Sequence, residues 1–252
     1  MELTFNHNGK SYLFDTSLAY DISLSVMRSS PGANCFYTDK PIYESYSAGN
    51  FVGNVALGGA CNVDVITFTP HGNGTHTECI GHLNDQGLFI TESLKECFLV
   101  SQLISISPKV INQDLVITLD LLLEAGLVLD AQALIVRTLP NYDSKKIHDY
   151  SGTNPTYFAP EVLQWLTDNQ IKHLLCDIPS VDREDDGGQL LAHKAFFGLP
   201  NSPRLDATIT ELIYAPSTII DGYYMLNLQI APFQSDASPS RPLLFSLKEL
   251  AF

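Results

Sequence analysis

Polar and apolar residues alternate from residue 2 to residue 14 on either side of Asn8-Gly9, a dipeptide that favours a tight hairpin turn, so the chain is expected to open with two short antiparallel strands. A third strand is expected at Tyr20 to Val26. Arg28 to Gly53 then lacks periodicity and is rich in Ser, Pro, Gly, Asn and Tyr, as functional loops often are. Phe36, Tyr37, Tyr43 and Tyr46 are available there either to line a substrate pocket or to anchor the loop to the body. The apolar run Val63 to Phe68 reads as a buried strand.

Further strands are expected at Phe98 to Ile106, Ala133 to Thr138, His173 to Ile178, Thr208 to Tyr214 and Tyr223 to Ile230. Thr118 to Ala125 reads as a helix that Thr118 is placed to cap and Gly126 to stop. Pro160 opens a second helix, whose Val162, Leu163, Trp165 and Leu166 form an apolar stripe, with Trp165 in the core. Strands and helices interleave, but the helices are too few for a regular doubly wound sheet. The expected class is therefore α/β, mixed and strand-rich. A length of 252 residues fits one domain, residues 1–252, with a full hydrophobic core, and there is no internal repeat or clear linker.

Charge narrows the partners. Against 14 Lys and Arg stand 28 Asp and Glu, a net −14 that repels phosphate backbones and anionic membrane surfaces, so nucleic acid is not expected as a partner. The five cysteines are odd in number, widely spread and without a C-x-x-C pair, which fits a reducing compartment better than a disulfide framework or a zinc ribbon. No basic-then-apolar leader opens the chain, and no apolar run approaches the ~18 residues of a membrane span. The expectation is a cytoplasmic protein with no membrane partner, in which the sequon Asn73-Gly74-Thr75 is accidental.

The densest chemistry lies between His71 and His82, H-G-N-G-T-H-T-E-C-I-G-H, which holds three of the seven histidines and a glutamate. Imidazole and carboxylate are ligands that a divalent transition metal takes from protein at neutral pH. Along an extended chain His76, Glu78 and His82 share one face, and three such groups on one face are hard to explain as core. His71 has the opposite parity, and Gly72-Asn73-Gly74 can supply the turn that brings it round. Downstream, His193 and Glu211 are the candidates for the rest of a site; Glu211 sits inside an otherwise apolar strand, where a carboxylate is costly unless paired or metal-bound.

Other chemistries fit less well. H-G-N-G resembles an esterase oxyanion loop, but no G-x-S-x-G elbow exists, and H-E-x-x-H is absent. Asp182, Glu184, Asp186 and Gly187 imitate half a calcium loop, yet its twelfth position is His193, so a solvated acidic loop is expected. Parity turns Cys79 away from the His76 face and into packing.

The run Gly74 to His82 resembles the signature H-x-G-T-H-x-D-x-P-x-H of the cyclase family of metal hydrolases, to which bacterial kynurenine formamidase and isatin hydrolase belong. The similarity extends from Asp21-Ile22-Ser23 to Glu211. Three departures stand out: one residue is inserted, so that strict spacing puts Gly72 where His71 is needed, Glu78 replaces the aspartate, and Ile80 replaces the proline.

The resemblance implies the swivelling β/β/α fold of that family and a kynurenine formamidase-like amidohydrolase acting on an amide C–N bond or a cyclic amide or ester. It implies one or two divalent ions, Zn²⁺ foremost and Mn²⁺ as the alternative, held by His71, His76, Glu78, His193 and Glu211, with His82 as the catalytic proton carrier. Imidazole, with an ordinary pKa of ~6.5, suits that task. A small-molecule substrate and a homo-oligomer, dimer or tetramer, follow from the same resemblance. Arg183, Arg204 and Arg241 are equal candidates to hold a substrate carboxylate. An isomerase or dehydratase on the same ligands, or a non-catalytic binding protein that has lost the metal, are the alternatives.

Overall fold

The structure is a computed structural model that describes residues 1–28, 31–85 and 87–250. Its centre is a set of strands buried along nearly their whole length: Phe98–Ile106, Ala133–Thr138, His173–Cys176 and Thr208–Glu211. They lie side by side and parallel, and a parallel sheet must be covered on both faces. Period-two alternation divides their side chains accordingly. Leu134, Val136, Leu174 and Cys176 turn to one face and meet Val162, Leu163, Leu166, Ala192 and Phe196. Ala133, Ile135 and Leu175 turn to the other and pack with Leu103, Tyr224, Leu226 and Leu244.

The helices Leu119–Glu124, Pro160–Asp168 and Leu191–Phe196 each lie between two successive parallel strands, and all three feed the same face. The sheet is extended by antiparallel strands at both ends, giving nine strands in the order Ala237–Pro239, His76–Glu78, Thr208–Glu211, His173–Cys176, Ala133–Thr138, Phe98–Ile106, Gly222–Asn227, Leu243–Ser246, Ala19–Asp21. The arrangement is mixed α/β and strand-rich, as the interleaved pattern implies.

The opening hairpin forms with strands Glu2–His7 and Lys10–Asp15, and Asn8 and Gly9 both take positive φ, as a type I′ turn requires. Phe98–Ile106, Ala133–Thr138 and the Pro160 helix match their expected spans, and Trp165 packs against the helix-side core.

Other expectations are corrected. The strand expected at Tyr20 to Val26 is only Ala19–Asp21. The run Val63 to Phe68 forms the strand Asp64–Thr67, but outside the main sheet, pairing Ile42–Ser45 in a two-stranded ribbon that leaves Val65 and Ile66 about half exposed, at 47% and 48%. Thr118 occupies the cap position without a capping side-chain bond, whereas Gly126, at φ +79°, does stop the helix. The strand that begins at Thr208 ends at Glu211, because Leu212 turns to φ +54° and its N–H and that of Ile213 donate to the carbonyls of Ile178 and Cys176.

One buried base couples this core to pH. His173 opens its strand with Nδ1 2.9 Å from Thr208 Oγ1. Burial, reinforced by neighbouring Lys172, pushes its imidazole down to about 4. The unfolded chain therefore takes up a proton that the fold refuses, so this contribution to stability is present above the ordinary pKa of ~6.5 and is lost as pH falls toward about 4. Denaturant unfolding of wild type against His173→Gln should show wild type losing up to about 3 kcal/mol more than the variant between pH 7 and pH 4. Parallel losses in both proteins would contradict the assignment.

Candidate metal centre

The site forms where the carboxyl ends of the parallel strands meet the antiparallel pair beside them, the usual crevice of open α/β sheets. The strand His76–Glu78 runs antiparallel to Thr208–Glu211 with His76 opposite Glu211 and Glu78 opposite Ile209. Ile209 belongs to the helix-side core, so His76, Glu78 and Glu211 all point toward the Leu191–Phe196 helix, which carries His193.

His71 arrives by a different route. Pro70–Gly72 forms a 3-10 turn, Gly74 follows at φ +76°, and a Cβ on Gly74 would stand 2.7 Å from the Leu24 carbonyl oxygen. The Gly-rich insert thus supplies the required turn, and His71 Nδ1 comes to 3.1 Å from Glu78 Oε2. All five expected ligands converge: His193 Nε2 lies 2.9 Å from Glu78 Oε1 and 3.9 Å from Glu211 Oε1, and His76 Nε2 lies 3.4 Å from Glu211 Oε2. Glu78 is central. Its oxygens serve two groups of donors, His71 and His76 on one side and His193 with His82 on the other, each within 4.8 Å.

Two carboxylates at the site were not foreseen. Asp182 is buried and accepts from the backbone N–H of Ala192 at 2.7 Å and of His193 at 3.1 Å, while its Oδ2 lies 2.6 Å from His193 Nδ1. It thereby holds the start of the helix and turns His193 Nε2 into the centre. Asp182 thus departs from the solvated loop expected of residues 182–187, while Asp185 and Gly187 are exposed as expected; Glu184 accepts from the N–H groups of Gly152 and Asn154, and Asp186 from those of Gly188, Gln189 and Leu190. Asp236 lies 2.8 Å from His71 Nε2 and 3.1 Å from His82 Nδ1. It stands in the polar run Gln234-Ser235-Asp236, where no periodicity marks it.

The electrostatics are those of a cation trap. Burial disfavours charge on His71, but Asp236 and Glu78 outweigh it and raise the imidazole to about 10. His193 is raised well above the histidine range because Glu78, Asp182 and Glu211 overcome its burial, and Glu78, fully buried, is held low by His193, His71 and His82. Even so, His76 Nε2 and both Glu78 oxygens are buried without an aligned hydrogen bond. The histidines near Glu78 have ion-pair distance but not the direction a hydrogen bond needs. Orphaned donors of this kind, two imidazole-rich groups around one carboxylate, fit a divalent ion.

A cavity of 350 Å³ opens over the centre, lined by Phe36, Ser180, Arg183 and Leu190 beside the donors. Of the loop aromatics only Phe36 reaches it. Tyr43 donates to the Val26 carbonyl, and Tyr37 is exposed. Of the three arginines only Arg183 lines it, and its guanidinium is engaged, Nε with Asp114 at 2.8 Å and Nη1 with the Asp185 carbonyl; Arg241 pairs with Asp21 and Arg204 donates to the carbonyls of Phe196 and Ile171. Cys79 is buried in packing, as parity implied.

Similarity to known proteins agrees with this architecture. Residues 17–183 match the model of the Cyclase family, described as "Putative cyclase". No curated protein matches the chain in sequence. Among solved structures, a predicted metal-dependent hydrolase from Bacillus stearothermophilus is 19% identical with a TM-score of 0.63 over 90% of this chain and 98% of that one. Isatin hydrolase A from Labrenzia aggregata is 15% identical with a TM-score of 0.64 over 90% and 93%. Isatin hydrolase A from Ralstonia solanacearum is 12% identical with a TM-score of 0.63 over 90% and 91%. The chain thus shares their fold at low identity, and the family match covers well over half of its length, so it belongs to the cyclase family as a divergent member.

Proposed function

We propose that this chain is a metal-dependent hydrolase that cleaves an amide C–N bond or a cyclic amide or ester of a small molecule, in the manner of a kynurenine formamidase. The observation that carries the reading is the set of buried donor atoms without an aligned hydrogen bond: both oxygens of Glu78, which lines the 350 Å³ cavity, and His76 Nε2, 3.4 Å from Glu211 of the same lining. His71, His76, Glu78, His193 and Glu211 would hold one or two ions, and their nitrogen and oxygen donors suit Zn²⁺ first and Mn²⁺ second. When bound, such an ion polarises a carbonyl and acidifies water.

The chain's own residues do the rest. Phe36 and Leu190 give the cavity an apolar wall against which a substrate can be oriented, and the Arg183 guanidinium stands in the lining, held by Asp114 and the Asp185 carbonyl. His82 is partly exposed beside the donors and engaged through Nδ1, which leaves Nε2 to carry a proton to the leaving nitrogen or oxygen.

The same reading makes residues 1–252 one catalytic domain, and the five free thiols suit a cytoplasmic setting. No helix among the described residues is long and apolar enough to cross a membrane. A homo-oligomer, dimer or tetramer, is part of the proposal, supported by the exposed apolar ribbon of Ile42–Ser45 and Asp64–Thr67.

Elemental analysis of the purified protein should find zinc or manganese, and chelation should abolish hydrolysis. A metal-free protein indifferent to chelators would remove the basis of the reading. Incorporation of ¹⁸O from labelled water into product separates hydrolysis from isomerisation or dehydration. Glu78→Ala should lose most of the metal. His82→Ala should keep it while kcat falls about 10²–10⁴-fold, whereas a matching loss of metal would make His82 a ligand instead. Asp182→Ala should weaken zinc affinity roughly 10–100-fold in a chelator competition, since His193 loses the acceptor that orients it.

A further inference from the structure

Each expected histidine ligand has its second ring nitrogen on an oxygen. His76 Nδ1 is 3.2 Å from the Gly74 carbonyl, and His193 Nδ1 has Asp182. His71 differs, because its acceptor is shared. The same atom, Asp236 Oδ2, lies 2.8 Å from His71 Nε2 and 3.1 Å from His82 Nδ1. The two rings stack over it with centroids 4.2 Å apart and a tilt of 31°.

Asp236 is built into this place. Its carbonyl accepts the Cys79 N–H at 3.0 Å, the Ser235 carbonyl accepts that of Ile90 at 2.8 Å, and the Ser235 hydroxyl lies 3.0 Å from Asp236 Oδ1. Gly81, one residue before His82, lets that turn close on it. A Cβ there would stand 2.1 Å from the Leu88 carbonyl oxygen and 3.3 Å from Asp236 Cβ.

An ionised carboxylate oxygen only accepts, so each ring must present N–H to it. In the neutral ring that would ligate an ion, this keeps the His71 proton on Nε2 and leaves Nδ1, the nitrogen that faces Glu78, as the donor. For His82 it places the proton on Nδ1 and frees Nε2. We infer that Asp236 is a positioning residue that sets the tautomers of the ligand His71 and the proton carrier His82 together, through one shared oxygen. The inference rests on the metal-hydrolase reading above and adds that one carboxylate aligns the ion's donor with the proton carrier. A one-acceptor-per-histidine arrangement would let the two drift independently; here they are delivered as a pair.

The test compares zinc-loaded wild type with Asp236→Ala and Asp236→Asn, measuring zinc affinity and stoichiometry by chelator competition and the protonated nitrogen of each imidazole by ¹⁵N-resolved NMR. Asp236→Ala should bind zinc about 10–100-fold more weakly, the usual cost of losing a partner that orients a ligand. It should also move the His82 proton from Nδ1 to Nε2. Asp236→Asn keeps an acceptor oxygen and should restore most of both. Unchanged affinity and unchanged imidazole signals in Asp236→Ala would overturn the inference while leaving the metal centre intact. So would an additional zinc equivalent in wild type that the variant loses, because Asp236 would then be a ligand. Wild type that binds no zinc would overturn the metal-hydrolase reading and this inference with it.

Discussion

The antiparallel register between His76–Glu78 and Thr208–Glu211 is the constraint on which the centre depends. A slip of one residue would turn His76 and Glu78 to the opposite face of the sheet and leave Glu211 facing Thr77. Polar side chains on the far face pin the pairing: Thr77 and Thr210 share a hydroxyl contact of 2.8 Å, while Thr75 accepts from the Leu24 N–H and donates to the Leu212 carbonyl. Leu212, in the left-handed region, ends the strand just past Glu211 and hands its own N–H to Ile178. Glu211 is thereby held at the mouth of the sheet, with Oε1 also accepting the Val181 N–H at 2.9 Å.

Around that register the protein concentrates charge where burial opposes it. Glu78 and Glu211 are inside, Asp182 is nearly so, and each carboxylate is compensated by imidazole or backbone N–H rather than by lysine or arginine. Contrast Asp177, a short distance along the same sheet edge: it is buried too, but Lys145 Nζ at 2.8 Å and the Thr138 N–H and hydroxyl satisfy it completely. Only the former arrangement leaves donor atoms open. Buried polar groups that already have all their partners stabilise a fold, whereas open ones select a ligand.

Much of this was legible in the residues. Period-two alternation put His76 and Glu78 on one face, because both lie on the short strand His76–Glu78; His82 lies beyond it in the 3-10 turn Ile80–Leu83 and comes to the centre by that turn, not by strand parity. His193 and Glu211 stood out as polar groups in apolar surroundings. Asp236 did not, because its partners His71 and His82 are 165 and 154 residues away in sequence and no short-range pattern reports such a pairing. Asp182 was hidden by its company: among Glu184, Asp185 and Asp186 it looks like solvated charge, and only the fold shows that it is the one turned inward. The Val63 to Phe68 run misled in the opposite sense, since hydrophobicity marks what prefers cover but not whether the chain's own body supplies it.

The acidic loop from Asp182 to Asp186 has a consequence for how such a protein can diversify. Its carboxylates do what a hydrogen-bonded ladder does elsewhere, each gathering backbone N–H groups into a shape. Asp182 secures His193, while Glu184 and Asp186 shape a cavity wall that includes Gly188 and Leu190. Anchorage of the donor and contour of the wall meet in Asp186, which lines the cavity and also holds the N–H of Leu190, the residue that caps the His193 helix. Glu184, which lines the same wall but binds Gly152 and Asn154, is the carboxylate of this loop whose replacement alters the contour without touching that helix start.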